Sequence, residues 1–237
     1  MKKILLIGGN GLIGKSVYKY LSKKNQIKIL DLIGDSKKIL KADISNQDKV
    51  HKILNKYLST KKIDTVINAA YPRFTSNNSK DPLKSDSNII LKNYEHHFIG
   101  YFIITQFFCN YFKKKKIKGN IINFASIYSE MLPRFNIYKK NQIITPMEYG
   151  MIKNNIVYIT KYFAKYVLGS GITINCISPG GVLNNQNKFF VKKYSSYTNS
   201  KKMMNKKDFN YLLEFLIETK IQNITGQNFI IDEGFSL

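Results

Sequence analysis

Arginine is almost missing from this 237-residue chain: it stands only at positions 73 and 134, although Lys and Arg together number 38. Each follows a proline, in "YPR" and "LPR". A chain that draws nearly all its positive charge from lysine has reason to keep arginine where a planar, two-pronged donor must grip phosphate or carboxylate. Arg73 and Arg134 are therefore candidate anion ligands, although chance retention accounts for them equally well. Cysteine is as scarce. Cys109 and Cys176 show neither metal-ligand spacing nor a disulfide framework, so no metal site is expected and both read as small core residues.

Long hydrophobic runs are lacking too. None approaches the roughly 18 residues that span a bilayer, which excludes a membrane span. The opening "MKKILLIGG" starts like a signal peptide, but its apolar run is only Ile4 to Ile7. That is short of the apolar region such a peptide needs, and a cytoplasmic location is expected. Acidic residues are few, 15 against 38 basic, for a formal charge of +23. Clustered cations would suggest nucleic acid. These lysines are instead scattered along the whole chain among many Asn and Ile, and the run at 113 to 116 closes a helix, where cations suit the dipole. Compositional bias explains the charge, and no nucleic-acid partner is expected.

What is present is an alternation. Apolar runs "KILLI" (3 to 7), "IKILD" (27 to 31), "DTVINAA" (64 to 70), "NIINFAS" (120 to 126), "ITINCIS" (172 to 178) and "QNFIID" (227 to 232) predict strands. Helical spacing predicts helices over 12 to 24, from a Ser45 cap onward, over roughly 88 to 113 and over 148 to 168. Strands apolar throughout and separated by helices form a parallel sheet covered on both faces. The expected fold is a single α/β domain, 1 to 237, with a Rossmann-type doubly wound sheet. Long connections at 71 to 87, 131 to 147 and 183 to 207 follow strand ends and belong on the carboxyl edge, where ligands bind.

"GGNGLIG" begins where the first strand stops and places Gly8, Gly11 and Gly14 at G-x-x-G-x-x-G spacing. Between strand and helix, such a loop lets backbone approach a pyrophosphate while the helix amino terminus supplies N–H donors. Asp31 closes the second strand, where a carboxylate accepts from ribose hydroxyls and repels a 2′-phosphate. NAD is the expected cofactor rather than NADP, with Lys37 and Lys38 nearby softening the preference.

Taken in order, these motifs resemble the short-chain dehydrogenase/reductase superfamily over essentially the whole chain. The resemblance implies cofactor contacts from Gly8, Asn10, Gly11, Leu12, Ile13 and Gly14, with Leu12 where the commonest form of the motif has glycine. It further implies contacts from Asp31, from Asp43 and Ile44 in "ADIS", from Asn68, Ala69 and Ala70 in "NAA", and from Pro179, Gly180 and Val182 in "ISPGGV". "AYPRF", "GNIINFASIYS", "ITPMEYGMIK", "NCISPGGVL" and "DEGFSL" resemble oxidoreductases of bacterial flagellin-modification and sialic-acid-like sugar pathways.

The superfamily's acid/base pair is a tyrosine followed four residues later by lysine. Five such pairs occur here, where chance alone gives between two and three or so. Position decides among them. Only Tyr149 and Lys153 open a helix that follows a strand ending in serine, so the resemblance implies Tyr149 as acid/base. Lys153 then holds the phenolate and the nicotinamide ribose, and Ser126 holds the substrate oxygen.

Two departures stand out. The family's active-site asparagine is replaced by His97, with Asn93 one turn earlier; a relay imidazole and a packed core histidine fit equally. Ser126 and Tyr149 are also farther apart than is usual, and the added length carries Arg134. Tyr71, Arg73 and Arg134 are expected to bind substrate, an anionic sugar derivative, in a homo-oligomer (dimer or tetramer) by analogy. A ketoacyl reductase serving acyl carrier protein, a sugar-nucleotide epimerase or dehydratase, and a non-catalytic cofactor-binding regulator are the competing readings.

Overall fold

The central apolar runs, Lys3–Ile7, Thr65–Asn68, Asn120–Phe124 and Thr173–Pro179, become strands because they are buried on both faces. The computed structural model describes residues 1–71, 81–139, 144–218 and 223–237. Along β1 (Lys3–Ile7), Leu5 and Ile7 enter one core while Ile4 and Leu6 enter the other. The period-two alternation of a strand thus feeds two apolar layers rather than one wet and one dry face.

The chain continues through α1 (Leu12–Leu21), β2 (Gln26–Asp31), β3 (Leu40–Lys41), α2 (Gln47–Leu58) and β4 (Thr65–Asn68). It then runs through α3 (Ser87–Tyr94), a π-helical turn (Glu95–Ile99), α4 (Gly100–Lys114), β5 (Asn120–Phe124), α5 (Met147–Tyr166) and β6 (Thr173–Pro179). The last elements are α6 (Lys188–Ser195), α7 (Asn210–Glu218) and β7 (Asn228–Ile231). All pairings are parallel, in the order β3-β2-β1-β4-β5-β6-β7. Strand order reverses between β1 and β4, and that switch point is where such sheets open a crevice at their carboxyl ends.

Helices α2, α4 and α5 cover one face through Val50, Leu54, Ile104, Phe108, Ile156 and Phe163. Helices α1 and α7 cover the other through Val17, Leu21, Leu213 and Leu216. Each such side chain contributes on the order of 1.5–3 kcal/mol by leaving water. A third, smaller cluster joins Ile127, Ile137, Tyr194, Met203 and Phe235 above the carboxyl edge. No described helix is long and apolar enough to cross a membrane.

Several boundaries differ from expectation. Asn46, not Ser45, caps α2, its side chain accepting from Lys49 N; Ser45 is taken up by Asp43 Oδ1 through both its backbone N–H and its hydroxyl. The helix expected over 88 to 113 is two α segments joined by the π turn. The polar connection at 183 to 207 contains α6, α7 follows it, and β3 is only two residues long, too short to register as a pattern.

Candidate active site

The turn after β1 is shaped by contacts that forbid side chains. Gly8 has a φ of 74°, and a Cβ there would lie 2.6 Å from Ala70 Cα. A Cβ on Gly14 would lie 2.0 Å from Gly8 O. The loop is therefore a bare backbone cradle, packed directly on the 68–70 segment that follows β4. Gly11 caps α1 without a side-chain hydrogen bond, which leaves the N–H groups of Leu12, Ile13 and Gly14 in the first turn with no carbonyl partner inside the helix. That is the donor arrangement a pyrophosphate requires.

Asp31, at the end of β2, braces this cradle. One carboxylate oxygen accepts from Asn10 N at 2.9 Å and the other from Ile33 N at 3.1 Å, while the Asn10 amide donates to Ile33 O. A carboxylate has about four acceptor sites, so lone pairs remain for a ribose. Asp43 closes the turn with Ser45, and Ile44 packs against Gly100, where a Cβ would lie 2.5 Å from its side chain. Asn68 is fully buried and its Nδ2 has no partner among the described residues. Tyr101 OH lies 3.1 Å from Asn68 O and 2.9 Å from Ala70 O, tying this segment to α4. The residues expected to contact a dinucleotide thus converge on one edge, and they fit one.

Beside them opens a cleft of about 770 Å³ formed by the segments after β5 and β6 and by the start of α5. Ser126, Tyr149, Ile13, Pro179, Gly180 and Val182 all line it. A cleft of about 660 Å³ at the opposite end of the sheet, near Lys3 and Gln26, contains none of these residues. Ser126 follows β5, caps a short 3₁₀ turn by accepting from Tyr128 N at 3.3 Å, and is buried. The half-buried Tyr149 meets the rings of Tyr71 at 5.7 Å and Tyr128 at 6.2 Å, both edge-on.

Lys153 lies one turn along α5 and is buried. Its Nζ donates to Phe124 O at 3.1 Å, sits 3.3 Å from His97 Nε2, and lies 5.6 Å from the Tyr149 ring centre. Burial brings its pKa from the ordinary lysine value down to about 7. His97, at the centre of the π turn, is pushed well below the usual imidazole range by burial and by the Lys153 charge. A neutral imidazole facing an ammonium accepts at Nε2 and carries its proton on Nδ1. Asn93 turns elsewhere, donating to the buried Glu148 at 3.3 Å. His97, not Asn93, stands against Lys153.

Arg134 does not reach the cleft, contrary to expectation. Its guanidinium donates to Phe235 O at 3.2 Å and Leu237 O at 2.7 Å, and stacks over the Tyr197 ring at 4.6 Å. It fastens the 131–139 segment to the 232–237 segment. Arg134→Ala should cost roughly 1–2 kcal/mol in chemical denaturation, and a direct substrate contact would instead show as a KM rise without loss of stability. Tyr71 does stand at the site, its ring 5.1 Å from His97. Arg73, and Lys140 of the same 131–147 connection that carries Arg134, lie outside the described residues.

Sequence reasoning missed Tyr194 and Phe235. Their rings stack at 3.9 Å, and Tyr194 OH accepts from Gly181 N, supporting the loop after β6. No local signal links positions 41 residues apart.

A family model described as enoyl-(acyl carrier protein) reductase matches residues 15–236. The chain belongs to the short-chain dehydrogenase/reductase family. It is 28% identical to post-translational flagellin modification protein A of Campylobacter coli, covering 100% of this chain and 98% of that one. It is 26% identical to the 3-oxoacyl-[acyl-carrier-protein] reductase FabG of Buchnera aphidicola, over 98% and 97% of the two chains. Among solved structures, a short-chain dehydrogenase from Leptospira borgpetersenii with bound NAD+ superposes with a TM-score of 0.87 at 32% identity, covering 100% of this chain and 93% of that one. This short-chain dehydrogenase/reductase is an oxidoreductase, and its Tyr149 and Lys153 occupy the helix start that the sequence singled out.

Proposed function

We propose that this short-chain dehydrogenase/reductase is NAD-dependent and interconverts a hydroxyl and a keto group on a sugar derivative, in bacterial surface-glycan or flagellin-sugar synthesis. The observation that carries the chemistry is the shared cleft: Tyr149 and Ser126 line it together, beside the residues of the glycine loop and the loop after β6, with Lys153 buried behind. The glycan setting is supported by the flagellin-modification relative, and the preference for NAD by Asp31 at the end of β2.

Gly8, Gly11, Gly14, Asp31, Asn68 and the Pro179–Val182 loop would hold the dinucleotide, which supplies or accepts hydride when bound. The chain's own groups manage the proton. During reduction Tyr149 gives its phenolic proton to the substrate oxygen, and during oxidation it takes that proton back. Ser126 Oγ donates to the same oxygen and fixes its position. Lys153, when protonated, lowers the cost of phenolate and would bind the nicotinamide ribose. His97 Nε2 holds the Lys153 Nζ from behind, in the place of the family's asparagine.

The enoyl-reductase family model and the FabG relative favour a second reading, a ketoacyl reductase serving acyl carrier protein. NADH and NADPH oxidation measured against a panel of keto-sugars and acetoacetyl thioesters decides between them. NADH-linked turnover confined to the sugars is expected. Turnover confined to thioesters selects the second reading, and no turnover with any member of the panel overturns both substrate readings.

A further inference from the structure

The cleft holding Ser126 and Tyr149 is unlike the rest of the molecule in one respect. Its described lining comprises 18 residues, and none is Lys, Arg, His, Asp or Glu. In a chain of which 22% is charged, a random set of that size would include about four charged side chains. Of the two arginines expected there, Arg134 is committed to Phe235 O and Leu237 O, and Arg73 lies outside the described residues. Lys139 leans over the Phe189 ring at 5.6 Å.

In place of charge the cleft offers neutral hydroxyls and amides. Tyr138 OH and Thr145 Oγ1 lie 2.5 Å apart, and the Tyr128 hydroxyl is bonded to the same pair. Burial holds Tyr128 and Tyr194 well above the ordinary phenol range, so both remain uncharged donors at neutral pH. Asn187 spends its Oδ1 capping α6, which leaves its amide N–H groups for a ligand. Phe190 adds an apolar ring face.

An anion entering such a space sheds water without meeting a counter-charge among the described lining, Lys153 lying buried behind Tyr149, whereas sugar hydroxyls exchange water for phenol, threonine and amide partners at little net cost. We propose that the substrate moiety seated against Ser126 and Tyr149 is an uncharged polyhydroxylated ring, and that the enzyme discriminates against phosphorylated and uronic-acid forms. This rests on the sugar reading above and reverses the expectation of an anionic substrate.

The test compares matched pairs: neutral keto-pyranosides, their 6-phosphates and the corresponding uronic acids, assayed with NADH. The neutral member is expected to show at least a tenfold higher kcat/KM. An equal or higher value for the phosphate or carboxylate member overturns the proposal. Binding of each pair to the enzyme–NAD+ complex, which has no hydride to give a ketone, measured by calorimetry, gives a readout independent of turnover. Tighter binding of the anionic member overturns the neutral-ring proposal, while turnover of thioesters with no turnover of any sugar overturns the sugar reading itself.

Discussion

Tyr149→Phe is expected to lower kcat by roughly 10²–10⁴-fold, the range of a positioned acid/base, while NADH affinity stays within about twofold of wild type. The substitution removes one oxygen and keeps the ring that packs on Tyr71 and Tyr128. The fold and the dinucleotide cradle around Gly8 and Gly14 should therefore be undisturbed. Steady-state rates beside a fluorescence titration with NADH separate chemistry from binding. Wild-type turnover in the variant would remove Tyr149 from the mechanism.

Lys153→Met should abolish turnover and at the same time stabilise the protein. The ammonium is fully buried, and its pKa falls from 10.5 to about 7 because burial disfavours the charge. Between those values the unfolded chain keeps a proton that the folded chain has released. More protons are thus bound on unfolding, and wild-type stability rises with pH from about 7 to about 10.5. Below pH 7 both states carry the charge and the penalty is complete. Methionine matches the stem and carries no charge, so the gain at pH 7 should be roughly 2–4 kcal/mol, reduced by the lost bond to Phe124 O. Urea denaturation at pH 7 and pH 9.5 checks the sign: the gap between variant and wild type should narrow at the higher pH. A variant less stable than wild type at pH 7 would show that the Phe124 and His97 contacts outweigh desolvation.

The sheet was legible because its central strands are buried on both faces, so runs such as "KILLI" and "NIINF" carry the signal without any partner. The glycine loop and the Tyr149 helix were legible because their spacing is local. The fate of Arg134 was not: its partners are Phe235 and Leu237, more than a hundred residues away, and nothing beside it in sequence announces them. Helix α6 escaped because Lys188, Lys192 and Lys193 break up its short apolar stripe. The cap of α2 fell one residue late because Ser45 and Asn46 are equally good capping types, and Asp43 had already engaged the serine.

The π turn at Glu95–Ile99 left no trace in the hydrophobic pattern, yet it sets what each half of the long helical segment can face. One surplus residue rotates α3 by about 100° relative to α4. In this arrangement Asn93 serves Glu148 on α5 while Tyr101 grips the end of β4. Excising a single residue from this turn would rotate α3 relative to α4 by that same angle and carry Asn93 away from Glu148 on α5.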